Sequence, residues 1–207
     1  MECHLLHYPK RTDGAEDKAA FGLIPGTPVP IRLNEFLPDT QLIGHNIIVG
    51  QPGWEEDLNN NKNAFFLDFV TRTRFTNTYA NSLTPAAFVD ALYANSGITP
   101  STQERSAAIN EFGGAGNIAD SAARARAMRR VAESEDFGKA EFNRAFVLMQ
   151  YFGYLRRNPN DPPEPNLNFE GYNFWLTKLN DFNGNFIQAE MVKAFLRSDE
   201  YRKRFGP

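Results

Sequence analysis

Few residues in this sequence have the types and spacing that catalysis or metal binding would require. Cys3, His4 and His7 are the only clustered soft ligands, and no fourth ligand that would complete a metal site is evident. The remaining histidine, His45, lacks the sequence context of a nucleophile paired with a base. We therefore expect the first residues to form a tail, and we assign no catalytic residue, metal ligand or cofactor site.

One segment near the end of the chain is similar to a calcium-binding EF-hand loop, with Gly184 at its sixth position. The first position is Leu179, however, which cannot bind a cation. We prefer to interpret Gly184 as a helix terminator and Asn185 as the cap of the next helix. Calcium binding is the less favoured alternative, and its oxygen ligands would be Asp181, Asn183 and Glu190.

Carboxylates around a proline-rich segment are the basis of an enzymatic alternative. Residues 158–168 contain four prolines and must form a loop. A hydrolase would need two of the nearby carboxylates to face one cleft. The candidates are Asp161, Glu164 and Glu170. We prefer a structural role for Asp161, in which it accepts main-chain N–H bonds inside the loop, and we expect Arg156 or Arg157 to pair with a carboxylate such as Glu170.

Three further patterns have structural interpretations that we prefer to functional ones. Residues 113–117 are glycine-rich but lack the preceding strand and the Lys-Ser/Thr of a phosphate-binding loop, so they indicate a connector. Trp54 and Trp175 lie at helical spacing and are typical of a core rather than of a stacking platform for sugars. A basic stretch near several carboxylates predicts a salt-bridged helix face rather than an anion site. Its members are Arg124, Arg126, Arg129 and Arg130.

Apolar residues recur with a helical period along most of the chain, which predicts an all-α fold. Proline and glycine punctuate residues 1–30, which we expect to be a tail and an irregular lead-in. Thr84 and Pro85 are a typical helix start, and Gly97 is a typical end. The predicted helices span approximately residues 32–37, 54–70, 85–96, 100–112, 120–133, 139–156, 172–179 and 187–195.

Composition limits the classes of partner and the kind of core. The 22 basic and 25 acidic residues give a net charge of −3, which makes nucleic acid a poor partner. No apolar run is long enough to predict a membrane span, and the single cysteine permits no internal disulfide. The 18 phenylalanines predict an aromatic-rich core. We expect its members to include Phe146, Met149, Phe152, Trp175 and Phe195.

Internal similarity predicts a duplicated three-helix unit of about 60 residues. Phe88-Val89 with Tyr93 matches Phe146-Val147 with Tyr151, and the segment 131–137 matches 195–201. Residues 69–75 are a degenerate third copy of that ending. In the two main copies a serine is followed by two acidic residues and an aromatic one, so Ser134 and Ser198 can cap the next helical turn. Phe137 and Tyr201 can then fold back onto the core.

Three stretches of the second unit resemble the bacterial domain-of-unknown-function family 4214. Its pattern is a tyrosine and a leucine before Arg-x-Pro-Asp, then a glycine with Tyr-Trp, then Ser-x-Glu-Tyr. The corresponding stretches are 151–161, 171–175 and 194–201. The resemblance covers residues 142–206 well and 84–138 more loosely, where Ile98-Thr99-Pro100 replaces the Arg-x-Pro-Asp element. It implies similarity to phycobilisome linker domains, and it supplies no catalytic residue.

The resemblance also implies an origin for the chain. Residues 30–39 resemble the layout of exported acidobacterial proteins that carry this domain, in which a further unit usually precedes the position of residues 19–22. We therefore expect a truncated member of the family. The positions expected to be structural in the loop and at the repeat endings are Arg157, Asp161, Gly171, Trp175, Ser134, Ser198 and Tyr201.

These observations predict a domain order and a function. We expect a tail over 1–30, a partial helical unit over 31–80, a first repeat unit over 81–138 and a second over 139–207. The favoured function is a non-catalytic interaction or scaffold module of an exported or cell-surface bacterial protein, which binds a protein or a surface polysaccharide. A glycan-binding module and a carboxylate-based hydrolase that uses loop 158–168 are the alternatives. The sequence fixes neither an oligomeric state nor a compartment.

Overall fold

The computed structural model describes residues 30–205, and over that range the prediction of an all-α fold is confirmed. A π-helical turn, Tyr151–Leu155, continues α7, and a 3₁₀ turn, Lys203–Phe205, follows α10. No strand occurs among these residues. The helices are α1 (Leu33–Ile43), α2 (Trp54–Phe69), α3 (Thr73–Thr78), α4 (Pro85–Ser96), α5 (Thr102–Asn110), α6 (Ser121–Ala132), α7 (Glu135–Gln150), α8 (Glu170–Asp181), α9 (Met191–Arg197) and α10 (Asp199–Arg202).

The chain divides into two compact units. Of the described residues, unit 1 contains 34–138, and unit 2 contains 30–33 together with 139–205. Residues 34–80, which the sequence suggests are a partial unit, therefore belong to the same unit as 81–138. The predicted tail lies outside the described residues except for Pro30, and so does the cluster of Cys3, His4 and His7.

Unit 1 is built around a buried aromatic cluster whose helices begin at local capping signals. Thr84 Oγ1 accepts a hydrogen bond from the N–H of Ala87 at 3.2 Å, and Pro85 opens α4. Asp120 caps α6 in the same way. The apolar faces of these helices enclose Phe65, Phe66, Phe75, Phe88 and Phe137, each at most 2% exposed. Edge-to-face ring contacts link several of these side chains.

Several predicted boundaries in unit 1 are wrong by a few residues. Helix α5 begins at Thr102, two residues after its predicted start, because Ser101 and Glu104 form a reciprocal capping box. The short α3 was not predicted, since six residues carry too little periodic signal. Helix α7 begins at Glu135, four residues before its predicted start, because the Ser134 carbonyl already accepts a helical hydrogen bond from the N–H of Gly138.

Unit 2 buries side chains of α7, α8 and α9 and leaves more of its predicted core exposed than expected. Phe152 and Phe195 are buried, at 3% and 4% exposure. Phe146, Met149 and Trp175 are only half-buried, so their predicted core placement is wrong. The buried positions are instead filled by other side chains of α7, α8 and α9. They are Val147, Leu148, Tyr151, Tyr172, Leu176, Leu179 and Met191.

The same tight turn, which we call the corner, joins two helices at three places. At Arg72, Ser134 and Ser198, the N–H of this residue donates to the carbonyl three residues earlier, at 3.1, 3.3 and 3.2 Å. The carbonyl of the corner residue accepts from the N–H four residues later, at 3.0, 3.0 and 3.1 Å. These corners are the three endings that the sequence aligns. Duplication of the whole three-helix unit is not confirmed by the structure and stays a prediction.

Candidate interaction surface

The loop that follows α7 is held by Arg157, whose side chain is 12% exposed. Its guanidinium donates to both carboxylate oxygens of Glu200, at 2.6 and 3.1 Å. Its Nη1 donates to the carbonyls of Asn158, Pro159 and Asp161, at 3.0, 3.0 and 3.1 Å. The prediction that Arg156 or Arg157 pairs with a carboxylate is therefore confirmed for Arg157, but the partner is Glu200 on α10 and not Glu170. The planar fork of arginine suits this bidentate pair.

Two of the three carboxylates proposed for a hydrolase, Asp161 and Glu170, have hydrogen-bond partners of their own. Asp161 Oδ2 accepts from the N–H and from the side-chain amide of Asn158, at 3.2 and 2.6 Å. This is the main-chain bond that the sequence predicts for Asp161. Arg32 also lies 3.6 Å from its other oxygen. Glu170 accepts from the Asn166 amide at 3.1 Å, on the exposed side of α8. Asp161 and Glu170 thus have hydrogen-bond partners inside the loop.

Gly171 occupies a place where a side chain would collide with the loop. A Cβ at this position would lie 2.9 Å from Tyr151 Oη and 3.3 Å from Glu164 Oε2. The Tyr151 ring cannot easily move, because it is buried and packs edge-on against Phe195 at 5.1 Å. Glycine therefore allows the first turn of α8 to approach Tyr151, which explains why this residue type stands here.

Trp175 is half-buried and packs against neighbouring side chains. Lys178 lies over the Trp175 ring at 5.3 Å, and Phe195 packs against that ring at 5.6 Å.

Glu141 is a buried carboxylate on α7, with 2% of its surface exposed. Its Oε1 accepts a hydrogen bond from Arg144 at 2.5 Å, while its Oε2 is buried without a partner. Burial raises the pKa of Glu141, and the charge and hydrogen bond of Arg144 oppose this shift.

The serines at the last two corners differ in the bonds they form. Ser134 Oγ donates to the Val131 carbonyl at 2.9 Å, and Ser198 Oγ donates to the Phe195 carbonyl at 2.8 Å. Ser198 Oγ also accepts from the N–H of Tyr201 at 3.1 Å, which caps α10. Tyr201 is half-buried against Tyr154, whereas Phe137 is fully buried.

The arginines of α6 mostly form the salt-bridged face that the sequence predicts. Arg126 and Arg130 both pair with Glu111, and Arg129 pairs with Glu133 at 2.8 Å. Arg124 is the exception, since it is 4% exposed and donates to Asn81.

The loop with EF-hand-like spacing has a different geometry from the predicted one. Gly184 has φ 81° and its N–H donates to the Leu179 carbonyl at 2.9 Å, so it does terminate the helix. Asn185 Oδ1 accepts from the N–H groups of Ile187 and Gln188, but this turn precedes α9, which begins only at Met191. Within residues 30–205 no group of three or more His, Cys, Asp or Glu side chains is placed to hold a metal ion.

A stack of three phenylalanines, of which the two outer ones are exposed, forms part of the surface of unit 2. Phe142 and Phe146 are one helical turn apart on α7, with ring centroids 6.3 Å apart and planes 25° from parallel. Phe186 stacks on Phe146 at 5.0 Å and 26°. We call the stack and its apolar neighbours in the α8–α9 connection the aromatic surface. Its members are Phe142, Phe146, Phe182, Phe186 and Ile187.

Gly184 is what brings Phe186 to this stack. A Cβ on Gly184 would lie 3.0 Å from Asn143 Oδ1, so the turn approaches α7 closely only because no side chain is present. Asn143 also donates to Asn180 Oδ1 at 2.8 Å, which ties the end of α8 to α7 beside Phe142. The connection after α8 is thus fixed with Phe186 against Phe146.

The aromatic surface exposes phenylalanine side chains, which none of the described residues of unit 1 does. Phe142 is 58% exposed and Ile187 is 73% exposed. Every phenylalanine exposed among the described residues belongs to unit 2, whereas the exposed large apolar side chains of unit 1 are all aliphatic. The sequence analysis missed this surface because Phe146 was assigned to the core. The signal that could have found it is Phe142 beside Phe146 at helical spacing, together with Phe186-Ile187 after a glycine turn.

Comparison with known proteins identifies no relative. No family model matches the chain, and no curated protein or solved structure matches it. The resemblance to the domain-of-unknown-function family therefore stays a prediction. None of the helices among residues 30–205 is long and apolar enough to cross a membrane.

Proposed function

We propose that this chain is a non-catalytic interaction or scaffold module that binds another protein through the aromatic surface of unit 2. The observation that carries this proposal is the exposure of a stacked set of phenylalanines, with Phe142 58% exposed. Water-exposed aromatic clusters are costly for a monomer and are typical of the centres of protein interfaces. The sequence resemblance adds that the whole protein is an exported or cell-surface bacterial protein.

The geometry of the rings favours a protein partner over a sugar. A sugar platform needs an aromatic face open to the ligand, whereas Phe146 and Phe186 stack with their centroids only 5.0 Å apart and cover each other's faces. Trp175, the other aromatic candidate, has Lys178 over its ring. Side chains of a partner helix or loop can pack against the exposed parts of Phe142 and Phe186.

Site-specific photo-crosslinking in the native cell tests this proposal. A photoreactive phenylalanine analogue at Phe142 should give discrete adducts, and Phe186→Ser should reduce them because it removes the neighbouring ring. The matched control places the analogue at Leu67, which is 44% exposed on unit 1. Equal adducts from both positions, or no adduct from Phe142, would contradict the proposal.

A further inference from the structure

One carboxylate at the start of α9 pairs with a lysine and feels the charges of two further cations. Lys193 Nζ lies 2.6 Å from Glu190 Oε1. The hydrogen bond and charge of Lys193, together with the charges of Lys178 and Arg197, lower the pKa of Glu190. Lys193 and Glu190 are both more than half exposed, so their ion pair is weak and open to competition from another carboxylate. We call Lys178, Lys193 and Arg197 the basic cluster.

The basic cluster is continuous with the aromatic surface. Glu190 follows Ile187 by three residues, and its N–H donates to the Ile187 carbonyl at 3.0 Å. The N–H of Met191, the first residue of α9, donates to the Phe186 carbonyl at 3.2 Å. These two bonds hold the beginning of α9 against the loop that carries Phe186. A segment lying on the aromatic surface therefore reaches the basic cluster within a few residues.

The charge of unit 2 agrees with this local arrangement. Its described residues include 11 basic and 8 acidic side chains, whereas those of unit 1 include 8 basic and 13 acidic. Exposed Arg202 and Lys203 extend the positive charge beyond Arg197. The acidic residues of α8, of α10 and at the start of α9 are Glu170, Asp181, Glu190, Asp199 and Glu200. Glu200 is half-buried and pairs with Arg157, and the other four are exposed.

We infer that the binding segment of the partner protein is acidic, with carboxylates that pair with Lys193 and Arg197 while its apolar side chains cover the aromatic surface. This inference rests on the proposed function and adds the chemistry of the partner. Charge complementarity favours a negatively charged segment, since unit 2 is positive and its basic cluster adjoins the apolar area. An acidic peptide fits better than an anionic membrane, because a peptide can place its carboxylates at the cations and away from Asp181 and Asp199.

Fluorescence anisotropy with synthetic peptides tests the inference directly. The probe is a short labelled peptide in which glutamate alternates with phenylalanine and leucine, and the comparison peptide has glutamine in place of every glutamate. We expect the acidic peptide to bind at least about fivefold more tightly at low salt, since two exposed ion pairs form. Raising the salt from about 50 mM to about 200 mM should reduce this preference, because exposed charges are screened.

Charge variants at exposed positions identify the site. Replacing Lys193 and Arg197 together by glutamine should weaken acidic-peptide binding about fivefold, whereas Glu190→Gln should strengthen it about twofold because the internal competitor is removed. The matched control replaces Arg126 by glutamine, which removes one positive charge from unit 1 and should change nothing. Far-UV circular dichroism checks that every variant is folded.

The outcomes separate this inference from the proposed function. If Phe186→Ser weakens both peptides but the charge variants have no effect, the aromatic surface binds protein and the acidic partner is wrong. Equal binding of the two peptides, or no binding of the acidic one, also overturns the inference. Vesicles of phosphatidylcholine with about one-quarter phosphatidylserine provide the last comparison. Stronger dependence of vesicle binding than of peptide binding on Lys193 and Arg197 would make an anionic membrane the occupant.

Discussion

Replacing Arg157 by methionine should destabilise unit 2 more than any other single change to a charged side chain in its loop. Methionine keeps most of the aliphatic stem but removes every donor. Glu200 then loses its bidentate partner, and the carbonyls of Asn158, Pro159 and Asp161 lose a shared donor. The guanidinium also leaves the ring of Tyr151, over which it lies at 5.3 Å.

The loss in the free energy of unfolding depends on how far water can replace these hydrogen bonds. Breaking a buried ion pair costs about 3–5 kcal/mol. The side chains of Arg157 and Glu200 are 12% and 25% exposed, so solvent partly compensates, and we expect a loss of about 2–4 kcal/mol. Glu200→Gln should cost less, about 1 kcal/mol, because the three carbonyls keep their donor. Arg157→Lys should recover only part of the loss, since an ammonium cannot form the same fork.

Urea denaturation followed by tryptophan fluorescence measures this loss in unit 2. The chain has two tryptophans, one in each unit, so a Trp54→Phe background leaves Trp175 as the reporter. Arg156→Met is the matched control, because Arg156 is the exposed neighbour and its change should stay within about 0.5 kcal/mol. A loss below about 1 kcal/mol for Arg157→Met, or full stability of Arg157→Lys, would refute the reasoning.

Three further predictions concern packing and charge, all measured by urea denaturation. Gly171→Ala should lose about 1–2 kcal/mol through its contact with the Tyr151 hydroxyl, whereas Gly153→Ala, which meets no atom within 4 Å, should lose nothing; equal effects would contradict this. Phe195→Ala should cost about 3–5 kcal/mol and half-buried Phe146→Ala distinctly less, so equal losses would return Phe146 to the core. Burial raises the pKa of Glu141 in the folded state. The contribution of Glu141 to the free energy of unfolding is therefore complete below the unfolded-state pKa of about 4.3, and it is lost as pH rises through the folded-state pKa. The free energy of unfolding of Glu141→Gln should therefore improve relative to the wild type between about pH 4 and about pH 7, and a constant difference would count against the raised pKa.

The sequence predicts helices best where the signals are local. Thr84, Pro85 and Gly97 define α4 at both ends, because a cap, a proline and a glycine each act within a few residues. It fails where a boundary depends on packing. The start of α7 is set by the corner at Ser134, and the partner of Arg157 is set by the position of α10.

The sequence analysis misses the aromatic surface for a related reason. Periodicity shows that Phe142 and Phe146 share a face of α7, but not whether another element covers that face. Whether that face is covered depends on the turn at Gly184, which brings Phe186 against Phe146 and leaves Phe142 and Phe186 exposed. The assignment of Phe146 to the core therefore assumed a neighbour that the fold does not supply.

The three corners limit where residues can be inserted into the chain. Each corner joins two helices through only one to three residues, so one inserted codon would turn the following helix by about 100° relative to its core. The loop at 158–168 has no such restriction, and it is where the two aligned halves differ in length. Insertional scanning of the gene should thus find intolerant positions at residues 72, 134 and 198, as in the buried helices, and a tolerant window in loop 158–168.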